Sequence, residues 1–247
     1  MTIHKSLALT LRCGDYSETS QVVSLLARSV GAVKCLAKGS KRGRNPFGGP
    51  LDRWTLGEAV FSLRDPNRLA TLMELYELER FEGLRTGLPA FFGACAATEL
   101  VLALVPEVDP QPEVFDLVIE TLRRLARAEA EAARAIAFAF AWRLLALLGY
   151  GPDLEHCVQC GRPLAEAGPG AWSGALGGLV CSRCDAPDRR IPFTGKSAQA
   201  LAFLLSAGWA EVERVRLSSA TAEALRGALG SRVAELAGRQ LSALKYV

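Results

Sequence analysis

A chain of 247 residues, half of them apolar and 22% charged, has material for one large domain or two small ones and excludes a disordered or fibrous protein. Its net charge of +3 is unevenly spread: residues 1–53 carry nine Lys and Arg against three Asp and Glu, which leaves +6 there and −3 in the remainder. A cationic amino-terminal region on a near-neutral body implies a polyanionic partner.

In chain order, the first segment alternates. Ile3, Leu7, Leu9 and Leu11 share one parity and His4, Ser6, Thr10 and Arg12 the other, which predicts a half-buried strand with the Ile/Leu face inward. Ser6 to Leu11 is too short for the apolar region of a secretory signal. After Gly14-Asp15, strands are expected over Gln21 to Arg28 and over Ala32 to Ala37, the latter with Val33, Cys35 and Ala37 on one face. Lys38 to Pro50 reads as a loop. Trp54 to Phe61 alternates again, and Leu69 to Leu78 fits a fifth strand or, through Leu72, Leu75 and Leu78, a helix. Five short strands in about 80 residues suit a small barrel such as an OB-fold.

From Arg80 the period lengthens. Helices are expected over Leu88 to Val105, Glu113 to Ala128 and Glu129 to Leu148, the last stopped by Gly149, with further helical stretches at 196–208 and 218–244. The uncharged run between Arg134 and Arg143 is eight residues. A membrane span needs about 20. The expected fold class is therefore α+β: a barrel domain over residues 1–79, then a helical domain over 80–247 interrupted by a Gly-rich insertion at about 153–192. A cytoplasmic location follows.

Cysteine usage singles out that insertion. Cys13, Cys35 and Cys95 stand alone among apolar neighbours and read as small buried hydrophobes. Cys157-x2-Cys160 and Cys181-x2-Cys184 are separated by twenty residues. Each x2 turn aims two sulfurs at one point, and Gly161, Gly177 and Gly178 supply the backbone freedom such turns need. Two turns make a closed tetrahedral thiolate set, which predicts one structural Zn2+ per chain with no open position for catalysis. A redox pair and an iron–sulfur cluster are the competing readings; the doubled motif weighs against the first and the even spacing against the second. His156, beside Cys157, is a further candidate ligand.

The cations Lys34, Lys38, Lys41, Arg42, Arg44 and Arg53 cluster around a stretch with glycines at 39, 43, 48 and 49, opposed only by Asp52. They are the candidate DNA-binding residues, on a loop read as flexible enough to follow a phosphate backbone. Phe47 and Trp54 are candidates for stacking on bases, and the competing reading puts Trp54 in the barrel core. Arg123, Arg124, Arg127 and Arg134 read as ordinary helix surface paired at i,i+4 with Glu120, Glu129 and Glu131. Arg189, Arg190 and Lys196 form a third, weaker cationic set. No catalytic triad, phosphate loop or two-metal acidic cluster is visible; Gly195-Lys196-Ser197 lacks the upstream glycine of a phosphate loop. A binding protein is expected, with no catalytic residues.

The order of these parts resembles the RecO family of bacterial recombination mediators. The matching runs are Gly14-Asp15-Tyr16-Ser17-Glu18-Thr19, Ala37-Lys38-Gly39-Ser40-Lys41-Arg42, Leu144-Leu145-Ala146-Leu147-Leu148-Gly149-Tyr150 leading to Cys157-Val158-Gln159-Cys160-Gly161, and Gly177-Gly178-Leu179-Val180-Cys181-Ser182-Arg183-Cys184. The resemblance implies an OB-fold, a helical domain with a zinc loop, binding of single- and double-stranded DNA, and strand annealing. It also implies partnership with RecR, and action on strands coated by single-strand-binding protein so that RecA loads, in the cytoplasm at the nucleoid and without nucleotide hydrolysis. A zinc-stabilised protein-interaction scaffold is the alternative.

Overall fold

The computed structural model describes residues 2–65, 68–184 and 191–247. Its contacts divide it into two compact units, Met1–Glu82 with Val105–Arg123, and Gly83–Leu104 with Arg124–Val247.

The first unit is built on five strands: β1 (Thr2–Asp15), β2 (Gln21–Ala27), β3 (Gly31–Ala37), β4 (Thr55–Leu63) and β5 (Ala70–Arg80). They close into a barrel in the order β1-β2-β3-β5-β4. All neighbours are antiparallel except β3 and β5, which run parallel over Cys35–Ala37 and Ala70–Leu72. This is the OB arrangement, and β5 is a strand throughout. Its interior holds Ala8, Val23, Leu25, Val33, Cys35, Ala37, Ala59, Phe61 and Leu72. Small and large residues alternate because a five-stranded barrel is narrow.

The expected inward face of β1 holds for Leu9 and Leu11, which are fully buried, and is reversed in the first half of the strand. Ser6 and Ala8 are buried, and His4 stacks on Phe61 at 5.5 Å, while Ile3 is 60% exposed and Leu7 also faces out. Beside Phe61 the interior takes small side chains, so Ile3 and Leu7 fall on the outer face. A bulge between Thr10 and Arg12 then shifts the register, and Cys13 packs partly against the core.

The segment 105–123 was expected within the helical domain beginning at residue 80; its contacts group it with the barrel. Ala32 bridges Glu107, and the Val108 N–H donates to the Ala32 carbonyl at 2.9 Å. Gly31 (φ 90°) lies where any Cβ would collide with the Asp109 backbone, so only glycine fits. In helix α2 (Pro112–Leu125), Asp116 accepts two hydrogen bonds from the Arg28 guanidinium, both at 2.9 Å. The Arg28 hydrogen bonds hold that carboxyl below the usual range.

The second unit is centred on α1 (Leu88–Leu104) and α3 (Ala130–Leu147). Twelve residues of α3 are buried, around most of its circumference, as its Ala-rich sequence allows. Gly149 (φ 81°) ends it with its N–H donating to the Ala146 carbonyl. A short helix α4 (Leu164–Ala167) and strands β6 (Pro169–Ser173), β7 (Gly178–Cys181) and β8 (Ile191–Pro192) follow. Next come α5 (Gly195–Ser206), α6 (Trp209–Val212) and α7 (Ser219–Ala237). The last helix ends at left-handed Gly238, short of the expected residue 244. Arg143, on α3, donates to the Leu204 and Ala207 carbonyls, capping α5, and lies 4.3 Å over Trp209. Burial, with Arg124 nearby, lowers its pKa. Among the described residues no helix is long and apolar enough to cross a membrane.

Candidate nucleic-acid face and metal centre

The outer face of β1–β2–β3 follows from register. Arg12 pairs with Ser24, which pairs with Lys34; Gly14 pairs with Val22, which pairs with Leu36. The partners on the opposite parity, Val23 and Cys35, fill the core. An apolar strip of Val22 and Leu36 is thus flanked by two exposed cations. Lys38 follows just beyond the end of β3 and opens the basic loop.

That loop is tied at its base, contrary to the expected flexibility. The Gln21 amide, 6% exposed, donates through Nε2 to the Leu51 carbonyl at 3.0 Å and accepts through Oε1 from the Leu51 N–H and the Ser40 hydroxyl, both at 2.9 Å. One side chain therefore joins both ends of the loop to the start of β2. Inside the loop, Asn45 donates to the Arg42 carbonyl at 2.7 Å and accepts from the N–H groups of Phe47 and Gly49. At the exit, the Thr10 hydroxyl donates to the Asp52 carbonyl at 2.6 Å and accepts from the Thr55 N–H at 2.9 Å. The loop's glycines serve turns in a defined structure.

The six predicted DNA-binding residues are all exposed but differ in availability. Lys34 pairs with Glu107 at 2.5 Å and Lys41 with Asp15 at 2.9 Å. Arg53 stacks on Trp54 at 4.8 Å. Lys38, Arg42 and Arg44 make no ion pair among the described residues, and neither does Arg12, which sequence reasoning did not select. Its signal was the strand register, hidden by the bulge. Gln21 was also missed, since a polar residue at a strand start carries no distinctive pattern.

The stacking candidates are corrected. Trp54 is fully buried with a left-handed φ of 59°, a conformation rare for a bulky residue. Its N–H donates to the Thr10 carbonyl at 2.7 Å, so it anchors the loop exit in the barrel. Phe47 packs against the core. The Trp54 ring is closed to a base, and Phe47 is partly buried.

The four paired cysteines converge. Their sulfurs all lie within 4.8 Å of one another, with Cys160 and Cys181 at 3.9 Å. A tetrahedral site with Zn–S of about 2.3 Å needs sulfur separations of about 3.8 Å, so the set fits zinc. Each pair sits on a tight turn: the Gly161 N–H donates to the Cys157 carbonyl at 2.8 Å, and the Cys184 N–H to the Cys181 carbonyl at 3.1 Å. Gly161 takes the left-handed φ of 73° that the first turn requires. Cys157 and Cys181 are buried, and Cys160 is exposed. Burial pushes the Cys157 thiol up, but N–H donation from Cys181, Cys160 and Gln159 outweighs it and lowers the pKa. Hydrogen bonds with Cys160 and Cys181 push Cys184 the other way. Four thiolates would crowd their charges together, which is what a bound cation relieves. His156 is exposed, lies 3.4 Å from Asp153 and is outside the cluster.

The insertion also has a packed anchor, which its composition did not suggest. Trp172 of β6 is fully buried, edge-on to Trp142 of α3 at 5.1 Å and near Phe193 at 5.9 Å. Pairing of β6 with β7 and β8 gives a three-stranded sheet, and the Val158 N–H ties the first cysteine turn to Leu179 of β7 at 2.9 Å.

The other cationic sets resolve differently. Arg123 pairs with Glu79 at 2.7 Å and Arg124 with Glu213 at 2.5 Å, so both side chains make tertiary contacts. Lys196 is exposed; Arg189 and Arg190 lie outside the described residues. Ser197 is buried, and its N–H donates to the Thr194 hydroxyl that caps α5, so Gly195-Lys196-Ser197 is a helix start. Cys35 is fully buried, and Cys13 and Cys95 are half-buried.

Comparison with known proteins agrees with this arrangement. Residues 1–79 match the family model described as Recombination protein O N terminal, and residues 85–245 match Recombination protein O C terminal. The DNA repair protein RecO of Syntrophobacter fumaroxidans is 37% identical over 191 residues, 77% of this chain and 74% of that protein. That of Anaeromyxobacter dehalogenans strain 2CP-C is 32% identical over 247 residues, 98% of this chain and 95% of that protein. That of Pelotomaculum thermopropionicum is 36% identical over 184 residues, 74% and 69% of the two chains. With both family models matched and relatives aligned along most of its length, the chain belongs to the RecO family of DNA repair proteins.

Proposed function

We propose that the protein is a recombination mediator that binds single- and double-stranded DNA, anneals complementary strands and, with RecR, helps load RecA onto strands coated by single-strand-binding protein. The observation that carries this reading is the set of four cations without ion pairs among the described residues, Arg12, Lys38, Arg42 and Arg44, around the outer face of an OB barrel in a RecO-family chain. Lys34, Lys41 and Arg53 join them. Ion pairs between exposed side chains contribute little, so an incoming phosphate displaces Glu107 from Lys34 at small cost.

The mechanism is electrostatic. Two strands repel through their phosphates, and cations that neutralise both lower the cost of bringing them together. Counterion release drives binding and makes it fall with salt. The apolar strip of Val22 and Leu36 carries no base-specific donors, which suits binding without sequence preference. The protein acts in the cytoplasm at the nucleoid, and no bond is made or broken by it.

Cys157, Cys160, Cys181 and Cys184 would hold one zinc ion. The ion would supply cross-linking of the two cysteine turns and no reaction chemistry. Around it, Trp172 fixes β6 to α3 and the β6–β7 pairing sets the separation of the turns.

Annealing of complementary oligonucleotides by the metal-loaded protein, without nucleotide and across a salt series, tests the reading. Acceleration that is strong at low salt and fades as salt rises is expected. A second reading, a protein-interaction scaffold, draws on the outer face of β1–β4–β5. There Tyr76 is 71% exposed in register with Glu58 and Leu7, and Ile3, Met73 and Leu78 are exposed nearby. Partner binding that survives high salt and needs no DNA, with no annealing at any salt, would favour it.

A further inference from the structure

With Trp54 buried in the barrel and Phe47 packed partly against its core, the basic loop itself offers no fully exposed ring to a base. The turn joining β1 to β2 offers an exposed one. Tyr16 is 62% exposed, and its hydroxyl makes no hydrogen bond among the described residues. Its position is fixed from below: the N–H groups of Tyr16 and Ser17 both donate to the Ser20 carbonyl, at 2.9 and 3.2 Å. The turn is also stitched to the start of the basic loop. The Lys41 N–H donates to the Thr19 carbonyl at 3.1 Å, the Gly39 N–H to the Ser20 hydroxyl at 3.1 Å, and the Lys41 ammonium to Asp15 at 2.9 Å. The residue beside the Lys41 partner is therefore an exposed aromatic on a braced turn, at the edge of the cationic surface.

We propose that Tyr16 is the base-stacking residue of the DNA site, engaging an unpaired base of a single strand whose phosphates lie on Lys38, Arg42 and Arg44. The proposal rests on the DNA-binding reading above. The β1–β2 loop of an OB barrel is one of the two loops that contact oligonucleotides. A tyrosine ring stacks on any base, so the contact adds affinity without sequence preference. It also selects for single strands, because the bases of a duplex are already stacked on each other. The Asp15–Lys41 pair then has a purpose: it holds the turn against the loop so that ring and cations address one strand together.

The test compares Tyr16→Ala and Tyr16→Phe with the unchanged, metal-loaded chain, by fluorescence anisotropy on an oligothymidylate and on a duplex, across salt. Tyr16→Ala is expected to weaken single-strand binding by about 5- to 150-fold. The salt slope should be unchanged, since no phosphate contact is lost, and duplex binding should stay within about twofold. Tyr16→Phe should restore single-strand binding, because the ring and not the hydroxyl stacks. Irradiating the unchanged chain on an oligothymidylate carrying 5-iodouracil should cross-link the peptide containing Tyr16. Single-strand binding unaffected by Tyr16→Ala overturns the proposal. So does an equal loss on both forms of DNA, or a failure of Tyr16→Phe to restore binding. If the unchanged chain binds neither form, the DNA-binding reading itself fails, and the proposal with it.

Discussion

The basic loop of the barrel and the cysteine insertion are both rich in glycine, yet they are held by different means. Residues 41–50 are closed by protein hydrogen bonds, through Gln21 at the base and Asn45 inside, with Phe47 packed against the core. Residues 153–192 bring four thiols within 4.8 Å and bury one tryptophan, a design that leaves the final cross-link to a cation. The lesson is that loop composition does not tell whether a loop is tied down. What matters is whether a staple exists, and a staple made of backbone-directed amide bonds leaves far less trace in a sequence than one made of cysteines.

The largest effect expected from this contrast is loss of the metal. Cys181→Ser should abolish zinc in a metal assay, cost about 3 kcal/mol or more, and lower the melting temperature by about 6–12 °C. It should expose the insertion to protease and leave tryptic cleavage after Arg42 and Arg44 unchanged. If that cleavage also accelerates, the two staples are not independent. Because Cys157 and Cys181 are buried and Cys160 is exposed, Cys160→Ser should be the milder change.

The reciprocal change is smaller. Gln21→Met removes three hydrogen bonds from a buried site and strands the Leu51 N–H and carbonyl, for about 1–3 kcal/mol. Cleavage after Arg42 and Arg44 should speed up while zinc content stays the same. Asn45→Ala, on a partly exposed side chain, should loosen the loop further from the core. Unchanged cleavage in both variants would mean that the loop does not depend on these amides.

The smallest effect sharpens the distinction between staple and filler cysteines. Burial pushes the Cys13 and Cys35 thiols up to about 12, in Cys13 with help from Asp52. Both should therefore stay neutral and resist alkylation in the folded protein from pH 7 to 9, since only the thiolate reacts and its share falls tenfold per pH unit below the pKa. Mass spectrometry after iodoacetamide would read this. Rapid labelling of Cys35 would show the barrel opening.

Much of this was legible in the chain. Val33, Cys35 and Ala37 announced an inward face by period alone, and the two Cys-x2-Cys turns fixed the candidate metal site before any geometry. The helices α1 and α3 were bounded within one or two residues by Pro106 and Gly149. Other features were hidden for physical reasons. Ile3 and Leu7 read as core because alternation does not say which parity faces in, and a narrow barrel took Ser6 and Ala8 instead. Trp54 stands beside a basic loop in sequence, yet it is turned into the core by a left-handed backbone that no motif declares. Arg12 joined the cationic face only through a bulge, and Trp172 became an anchor only through contact with α3.

The most direct test of the central claim is the salt dependence of single-strand binding by the unchanged chain and by the combined Arg12→Ala, Lys38→Ala, Arg42→Ala and Arg44→Ala variant, measured by anisotropy with zinc content and melting temperature matched. Each phosphate contact contributes about −0.7 to the slope of log K against log salt. The account predicts that the variant binds more weakly and that its slope is shallower by about 2.8, four contacts' worth. An unchanged affinity and slope would contradict it and place the DNA site, if there is one, elsewhere than on the barrel.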